Sequence, residues 1–278
     1  MKSILYSLFI AIFFLASCGT TKEKANSSLH SHENLNATLW MQTSVEYKML
    51  CEQIYKLATT QMLENLNDKS ISAALEQSEN FINLPPAVIV DVDETILDNS
   101  PFEARSIKNG AGYTDTAWKS WVNEKKAKPI SGAKDFVETA KENGITVFYV
   151  SNRELKDPTL ENLQKEIDPN ILAENILLKN EKPEWTSDKT SRRKLISEKY
   201  RIILLVGDDY NDFVFLGKEN PVQRKQLAEE QMKNWGKNWI ILPNPTYGSF
   251  ENALLDYRHD RNEAEQFFKK LEYLNTSE

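Results

Sequence analysis

The spacing of apolar residues alternates along the chain between two periods, and this alternation predicts an α/β fold. Short β-branched or aliphatic runs recur, and a stretch with helical periodicity follows most of them. Short apolar runs indicate buried strands of a parallel sheet, and the amphipathic stretches indicate the helices that cover it. We therefore predict a Rossmann-like parallel sheet flanked by helices. The predicted strands end just before Asp91 and span 145–150, 175–178, 202–206 and 239–242.

Helical periodicity and end signals place the predicted helices between these strands. Gly144 is expected to end one helix in a left-handed conformation, and Asp157-Pro158 is expected to supply the N-cap and first position of another. Two more helices precede the first strand, where Pro85-Pro86 closes the region. The predicted helices span 37–66, 70–82, 132–143, 157–167, 187–199, 221–234 and 249–273.

The N-terminus has the proportions of a secretory signal. Lys2 precedes an apolar stretch at 4–16, which is too short for a membrane-spanning helix. The residues Leu-Ala-Ser before Cys18 resemble the lipobox of bacterial lipoproteins, which implies cleavage before Cys18 and attachment of lipid to it. An ordinary signal peptide with an incidental cysteine is the alternative. Residues 19–36 are polar and lack apolar periodicity, so they indicate a flexible tether.

These features divide the chain into five parts. Residues 96–130 do not fit the strand–helix alternation, and we interpret them as an insertion after the first strand that roofs the site. The five predicted parts are a signal peptide at 1–17, a lipidated tether at 18–36, an N-terminal helical segment at 37–84, a core at 85–250 that includes the insertion, and a C-terminal helix and tail at 251–278.

The charge and cysteine content exclude some partners. The formal charge is −7, and loss of Lys2 with the signal peptide makes it −8. An acidic chain is a poor bulk partner for nucleic acid, and an anionic substrate must be held by local positive charge. If Cys18 carries lipid, Cys51 is the only other cysteine, so the mature chain forms no internal disulfide.

Polar residues follow three of the predicted strands. The first strand leads into Asp-Val-Asp-Glu-Thr at 91–95, the second into Ser-Asn-Arg at 151–153, and the 202–206 strand into Gly-Asp-Asp-Tyr-Asn-Asp at 207–212. Open α/β sheets bind ligands at the carboxyl ends of their strands. Asp91 and Asp93 would repel each other there unless a cation or a shared proton intervenes. The pattern therefore predicts a metal site, an acid/base pair, or both.

These clusters, together with Lys189 at the start of a predicted helix, resemble the four motifs of the haloacid dehalogenase (HAD) phosphohydrolases. A closer resemblance is to the class C acid phosphatases, bacterial lipoproteins that include outer-membrane 5′-nucleotidases acting on nicotinamide mononucleotide. It rests on the lipobox, the N-terminal helices, and four segments: 91–100 (DVDETILDNS), Trp-x-x-Trp at 118–121, Val-Ser-Asn-Arg at 150–153, and Asn-Pro-Thr-Tyr-Gly-Ser at 244–249.

The resemblance assigns a role to each group, and each role suits the chemistry of a phosphate ester, whose negative oxygens must be neutralised. Asp91 is expected to be the nucleophile and Asp93 the general acid and then base, favoured in its protonated form by a nearby carboxylate. Lys189 is chosen by position, and Lys194 is its rival. The expected Mg²⁺ ligands are Asp91, the main-chain carbonyl of Asp93, Asp208 and Asp212, and the expected phosphate-binding residues are Ser151, Asn152 and Lys189.

The resemblance also suggests how the leaving group is held. It implies that aromatic residues sandwich a nucleotide base, and the matching positions are Trp118, Trp121 and Tyr247. Packing of the tryptophans against the core is the alternative. One departure stands out, because relatives usually have Asn where this chain has Asp209. The added charge near the metal is expected to change metal affinity or the pH optimum.

We therefore expect a lipid-anchored, Mg²⁺-dependent acid phosphatase of the bacterial cell envelope, in the outer membrane, that hydrolyses 5′-nucleotides including nicotinamide mononucleotide. Two alternatives stay open: a non-enzymatic surface lipoprotein on the same fold, and a phosphotransferase. The sequence also leaves open whether the chain forms a homodimer. It has no Cys-x₅-Arg motif, and its three histidines (His30, His32 and His259) offer little to a histidine-based site.

Overall fold

The computed structural model describes residues 32–78, 80–258 and 260–277. The predicted signal peptide, Cys18 and most of the predicted tether lie outside these ranges, as do His30 and His259. The described part of the chain contains no helix that is both long and apolar enough to cross a membrane.

A five-stranded parallel sheet forms the centre of the fold, in the order β5-β4-β1-β6-β7, and it confirms the predicted α/β class. A small antiparallel pair, β2 and β3, lies in the predicted insertion. The strands are β1 (Pro86–Val90), β2 (Leu97–Asp98), β3 (Lys128–Pro129), β4 (Thr146–Ser151), β5 (Ile176–Leu178), β6 (Arg201–Gly207) and β7 (Trp239–Ile241).

Ten α-helices accompany the strands in the described ranges. Two precede the sheet, α3 and α4 belong to the insertion, and most of the others connect successive strands. They are α1 (Leu35–Thr43), α2 (Val45–Asn67), α3 (Ser100–Lys108), α4 (Asp115–Glu124), α5 (Ala133–Glu142), α6 (Lys156–Glu166), α7 (Thr190–Ser197), α8 (Pro221–Glu230), α9 (Ser249–Leu254) and α10 (Glu263–Leu271).

Strand β1 separates two hydrophobic clusters, because successive side chains of a strand point to opposite faces of the sheet. Val88 and Val90 join the cluster formed with α2 and α5, whereas Ala87 and Ile89 join the cluster around Trp239. Each of these four β1 residues is at least 96% buried. The strand is therefore covered on both faces, as its continuous apolar sequence predicts.

Helix α2 is hydrogen-bonded to the segment that follows β1 and to the start of β6. The Tyr55 hydroxyl donates to the carbonyl oxygen of Thr95 at 2.6 Å. At the C-terminal end of α2, the buried Arg201 guanidinium donates to the carbonyl oxygens of Leu66 at 2.9 Å and Asp68 at 2.8 Å. These bonds satisfy carbonyls that a helix end leaves without intrahelical partners, and they join α2 to the start of β6.

The helix predicted at 70–82 is absent from the described residues of that segment. The segment bonds to β6 and α7 instead: the Ala73 main-chain amide donates to the Ile202 carbonyl at 2.7 Å, and the Gln77 side chain donates to the Ser197 carbonyl at 2.7 Å. Asp68 also accepts from the amide of Ser70 at 3.0 Å, a local bond that favours a turn. Tertiary bonds therefore override a weak helical pattern.

Two other helix predictions require correction. The predicted 249–273 helix is two helices, separated where Asp256 and Tyr257 adopt positive φ values of 54° and 56°. Asn262 then begins α10 with a side chain that accepts from the Glu265 amide at 3.0 Å. Asp157 does not cap α6, because the helix already begins at Lys156. In contrast, Gly144 follows α5 with φ +68°, as predicted.

Candidate active site

Three strand ends bring the sequence-predicted polar residues together at one edge of the sheet. Strand β1 lies between β4 and β6, so Asp91, Ser151 and Asp208 emerge side by side from adjacent strands. The Asp91 amide donates to the Val206 carbonyl at 2.9 Å, which continues the β1–β6 pairing to the site. Parallel pairing therefore converts residues distant in sequence into neighbours.

A cluster of three carboxylates forms the centre of this edge. One carboxylate oxygen from each of Asp91, Asp208 and Asp212 lies within 4.8 Å of the others. The Lys189 ammonium bonds to Asp91 and, at 2.6 Å, to Asp212. Three negative charges against one positive charge leave a formal charge of −2 in a largely buried site. That balance and the hard oxygen donors fit one divalent cation.

The electrostatics of the cluster lead to the same requirement. Burial raises the pKa of Asp91 to about 7; the carboxylates of Asp212 and Asp93 add to the rise, and the Lys189 ammonium opposes it. Burial also raises the pKa of Asp208 well above its usual range, with Asp91 and Asp212 adding to the effect. Keeping both groups ionised near neutral pH therefore requires further positive charge.

Lys189 remains charged in spite of its burial. Burial alone lowers the pKa of its ammonium group, but the carboxylates of Asp212 and Asp91 outweigh that effect and raise it above its usual value. Lys189 is 5% exposed and immediately precedes α7. Its rival Lys194 is exposed on the same helix, so the structure brings only Lys189 into the carboxylate cluster.

Glycine is required at position 207 because the Asp212 side chain passes directly over it. A Cβ at Gly207 would lie 2.2 Å from Asp212 Oδ2 and 2.5 Å from its Cβ. A 3₁₀ turn at Tyr210–Asp212 returns Asp212 to the strand end, where its Oδ2 accepts from the Asp209 amide at 3.0 Å. The missing Cβ of Gly207 therefore makes room for a carboxylate of the cluster.

Neutral donors orient the third carboxylate. Asp208 accepts from the Thr95 hydroxyl at 3.1 Å and from the side-chain NH₂ of Asn244 at 2.8 Å. Neither donor supplies positive charge, so these bonds hold the carboxylate in place without balancing its charge. No individual role is predicted for Asn244 from the sequence.

Asp93 points away from the three-carboxylate cluster and toward a buried arginine. Its Oδ1 accepts from Arg153 Nε at 2.9 Å and from Asn99 Nδ2 at 2.8 Å, and Arg153 Nη2 lies 2.8 Å away in an ion pair. Its Oδ2 lies 3.4 Å from the Ser151 hydroxyl. The sequence predicts a carboxylate beside Asp93 but not the Arg153 guanidinium.

Asn99 connects several parts of the site. Besides its bond to Asp93, it accepts at Oδ1 from Trp121 Nε1 at 2.8 Å and from Arg153 Nη2 at 3.2 Å. The main-chain N–H of Asn99 donates to the buried Glu94 carboxyl at 2.7 Å. The hydroxyl of Tyr247 donates to the same Glu94 carboxyl, whose pKa is raised well above its usual range by burial and by the charge of Asp93.

The three aromatic candidates have different surroundings. Trp118 is half-buried and helps to line a cavity of about 80 Å³ with Tyr113 and Asn152, and the Arg153 guanidinium lies 5.6 Å from its ring centroid. Tyr247 is also half-buried. Trp121 is only 3% exposed, which corrects the expectation that it offers a stacking face; it supports Asn99 from the core.

The Asn152 side chain does not face Asp91. Asn152 is exposed, and it donates to the Ser187 carbonyl at 3.1 Å and accepts from Arg192 Nη2 at 2.8 Å. Arg192 also donates to the Ser151 carbonyl at 2.6 Å. The Asn152 side chain therefore joins the end of β4 to the segment before α7, so the prediction of Asn152 as a phosphate ligand rests on its main-chain N–H.

The Asp209 carboxylate also faces away from the cluster. It accepts from the Ser249 amide and the Ser249 hydroxyl, both at 2.5 Å, and from the Asn211 amide at 2.8 Å. Its charge is thus held by protein donors at the start of α9. The sequence predicts an effect of this charge on the metal but does not predict these donors.

Comparison with known proteins agrees with this geometry. The model of the acid phosphatases of HAD superfamily subfamily IIIB matches residues 19–250. The structure of the class C acid phosphatase from Bacillus anthracis is 33% identical, with 87% of this chain and 97% of that chain covered and a TM-score of 0.77. The crystal structure of that enzyme with tungstate bound is 32% identical, with the same coverage and the same TM-score.

Proposed function

Because the chain belongs to the acid phosphatases of HAD superfamily subfamily IIIB, we propose that it hydrolyses 5′-nucleotides with the help of Mg²⁺. Its phosphomonoesterase activity follows from the family, whereas the ion and the substrate are our proposal. The observation that carries the proposal is the buried group of three carboxylates and one ammonium, with a net formal charge of −2.

Asp91, Asp208 and Asp212 would hold the ion together with the main-chain carbonyl of Asp93. Their hard oxygen donors suit Mg²⁺, and two uncompensated negative charges match its valence. The bound ion would neutralise phosphate oxygens and so lower the barrier to attack by an anion. The protein itself fixes the direction in which these carboxylates point. The hydrogen bonds from Thr95 and Asn244, for example, hold the Asp208 carboxylate toward the proposed ion site.

Asp91 would be the nucleophile and Asp93 the acid and base. An Asp91 oxygen attacks phosphorus, the bond from phosphorus to the ester oxygen breaks, and Asp93 gives its proton to the departing alkoxide. Water then attacks the aspartyl-phosphate, Asp93 takes a proton from it, and phosphate leaves. Arg153 and Asn99 occupy Oδ1 of Asp93, so Oδ2 is the oxygen available to carry the proton.

Lys189 and Ser151 would bind the transferring phosphoryl group. The Lys189 ammonium lies against Asp91, the residue that would receive the group, and it is desolvated, so its charge is weakly screened there. The Ser151 hydroxyl accepts from the Arg153 amide at 3.1 Å, which holds it toward Asp93. Both groups therefore lie where negative charge accumulates during transfer.

Trp118 and Tyr247 would bind the leaving group. Each is half-buried at the rim of the site, and each is linked to Asp93 or its neighbour, Trp118 through Arg153 and Tyr247 through Glu94. A planar base, including the nicotinamide ring of nicotinamide mononucleotide, is a ligand that such rings bind by stacking. Stacking tolerates different bases, so we expect broad activity toward nucleoside monophosphates.

We also propose that the protein is anchored by lipid at Cys18 in the bacterial cell envelope, in the outer membrane. Support comes from the sequence around Cys18 and from the polar stretch that separates it from α1. Metabolic labelling with a palmitate analogue should mark the wild-type chain and leave a Cys18→Ala variant unmarked.

A substrate and metal panel tests the proposed activity. We expect the purified protein to release phosphate from nucleoside 5′-monophosphates, to lose this activity in EDTA, and to regain it with Mg²⁺, because its buried carboxylates need a divalent counter-ion. Activity that persists in EDTA would contradict the metal site. Turnover that favours phosphomonoesters without an aromatic leaving group would contradict the nucleotide assignment and leave the phosphatase assignment intact.

Replacing Trp118 with alanine should raise KM for a nucleoside 5′-monophosphate by about 5- to 100-fold, because one stacking surface is lost. The KM for glycerol 2-phosphate, which has no ring, should change little. Trp235→Ala is the matched control, since Trp235 is also half-buried but packs against the Trp239 cluster, and it should change neither KM appreciably. If Trp118→Ala raises both KM values equally, Trp118 supports the fold and does not bind the leaving group.

A further inference from the structure

The loop at 244–249 carries Tyr247, and it is bonded near both ends to adjacent aspartates after β6. The Asn244 side-chain NH₂ donates to Asp208 at 2.8 Å. The Ser249 main-chain N–H and hydroxyl donate to Asp209, both at 2.5 Å. We propose that Asp209 is a positioning residue that holds this loop, and with it the Tyr247 ring, against the leaving group. The proposal rests on the nucleotide assignment made above.

The direction of the hydrogen bonds shows why an aspartate suits position 209. The Ser249 hydroxyl accepts from Arg224 Nη2 at 2.7 Å, so its own proton is directed to Asp209. Asp209 therefore faces two donors from Ser249 and a third from the Asn211 amide. A carboxylate accepts all three, whereas an asparagine would turn its NH₂ group toward one of them.

The Asp209 charge thus has a role that does not involve the metal. Hydrogen bonds to a charged acceptor are short and about twice as strong as those between neutral groups, which suits a loop that must not move. The fit is close at the neighbouring residue as well, because a Cβ on Gly248 would lie 3.0 Å from Asp209 Oδ2. These contacts explain why position 209 is Asp in this chain, where relatives usually have Asn.

Tyr247 is held at a third point between these two attachments. Its hydroxyl donates to Glu94, which is buried and accepts from the Asn99 amide at 2.7 Å. With both flanks and the hydroxyl held, the ring has little freedom to rotate or withdraw. A planar leaving group would then meet a preformed surface, and its binding would not have to order the loop.

Ser249→Ala and Asp209→Asn test the proposal together. Each should raise KM for a nucleoside 5′-monophosphate by roughly 3- to 10-fold, a part of the full stacking effect. Ser249→Ala should leave kcat and KM for glycerol 2-phosphate within about 2-fold of the wild type. The double variant should be no worse than the poorer single variant, because both changes break the same contact.

Hydrogen exchange gives a readout that does not depend on turnover. The Ser249 amide should exchange slowly in the wild type and at least about 10-fold faster in Asp209→Asn, because its acceptor is altered. Asp68→Asn is the matched control: Asp68 also accepts from the amide and hydroxyl of one serine, Ser70, but on the exposed surface. It should change neither the Ser249 exchange rate nor either KM.

Three results would overturn the proposal. The first is a shift in the Mg²⁺ concentration for half-maximal activity that occurs in Asp209→Asn and not in Ser249→Ala, since this would show that the Asp209 charge acts on the metal. The second is additive KM effects in the double variant, and the third is an unchanged Ser249 exchange rate. If the wild type hydrolyses no phosphomonoester, the proposed function fails, while the exchange rates still decide whether the contact holds the loop.

Discussion

Replacing Asp91 with asparagine should lower kcat for every phosphomonoester by at least about 10³-fold, because an amide oxygen cannot form the proposed aspartyl-phosphate. The substitution nearly preserves volume and leaves the other two carboxylates of the cluster in place. Steady-state rates with a nucleotide and with glycerol 2-phosphate measure the effect. Both substrates should lose activity to a similar degree, since both are attacked by the same Asp91 oxygen.

Asp98→Asn is the matched control for Asp91→Asn. Asp98 lies in the same segment and accepts from the Ser100 amide at 2.8 Å, a bond that an asparagine oxygen also makes. Its activity should stay within about 2-fold of the wild type, as for most substitutions outside the site. An Asp91→Asn enzyme with comparable turnover would contradict the assignment of the nucleophile.

Asp91→Asn also shows how the buried Asp91 charge affects stability. The folded pKa of Asp91 is about 7 and therefore above its unfolded value, so the folded state binds the extra proton between about pH 4 and 7. Wild-type stability in EDTA should consequently fall as the pH rises through this range. Asp91→Asn should lose less stability over the same range, and thermal melting in EDTA measures both.

Local patterns were sufficient to predict the strands and the residues at their ends. Strand β1 was predicted because a β-branched run buried on both faces has a continuous apolar sequence, and Asp91 follows as the first polar residue. The parallel arrangement then places Asp91, Ser151 and Asp208 together, because carboxyl ends of parallel strands lie at one edge. Lys189 was chosen by its position at the start of a predicted helix, and the structure places its ammonium against Asp91.

Residues that act through other residues were not predicted. Arg153 and Asn99 lie inside the segments used for the resemblance, but a periodicity argument does not show that both bond to Asp93. A buried arginine needs an acidic or hydrogen-bonding partner, and Arg153 follows a buried strand. Its position was therefore the sequence signal that could have predicted its contact with Asp93. The 70–82 helix failed for a similar reason, because the bonds that replace it come from β6 and α7, which lie more than 100 residues away.

Trp118 and Trp121 show how a difference of three positions places one tryptophan at a cavity and the other in the core. Both belong to α4, and residues three apart on a helix lie on neighbouring parts of one face. Trp121 is inside the core and donates to Asn99, whereas Trp118 reaches the cavity beside Arg153. The sequence shows the pair but not where the core ends, so only the structure distinguishes them.

Replacing Lys189 with methionine should destabilise the metal-free protein by about 3–5 kcal/mol at pH near 8, because it leaves Asp91 and Asp212 buried without their cation. The loss should be smaller near pH 5, where Asp91, with a folded pKa of about 7, escapes the penalty by binding a proton. Denaturant unfolding in EDTA at both pH values measures the difference. The kcat should fall by roughly 10²–10³-fold, because charge on the transferring phosphoryl group is no longer neutralised.

Lys194→Met is the control for helix α7, since Lys194 is exposed, and it should change neither stability nor turnover appreciably. A second substitution tests the charge balance. Adding Asp212→Asn to Lys189→Met removes one unpaired carboxylate, so much of the lost stability should return, while turnover stays low because a proposed metal ligand is lost as well. If turnover returned with stability, Lys189 would only maintain the fold. A stability loss that is equal at both pH values would show that the ammonium acts by packing and not by pairing with the two carboxylates.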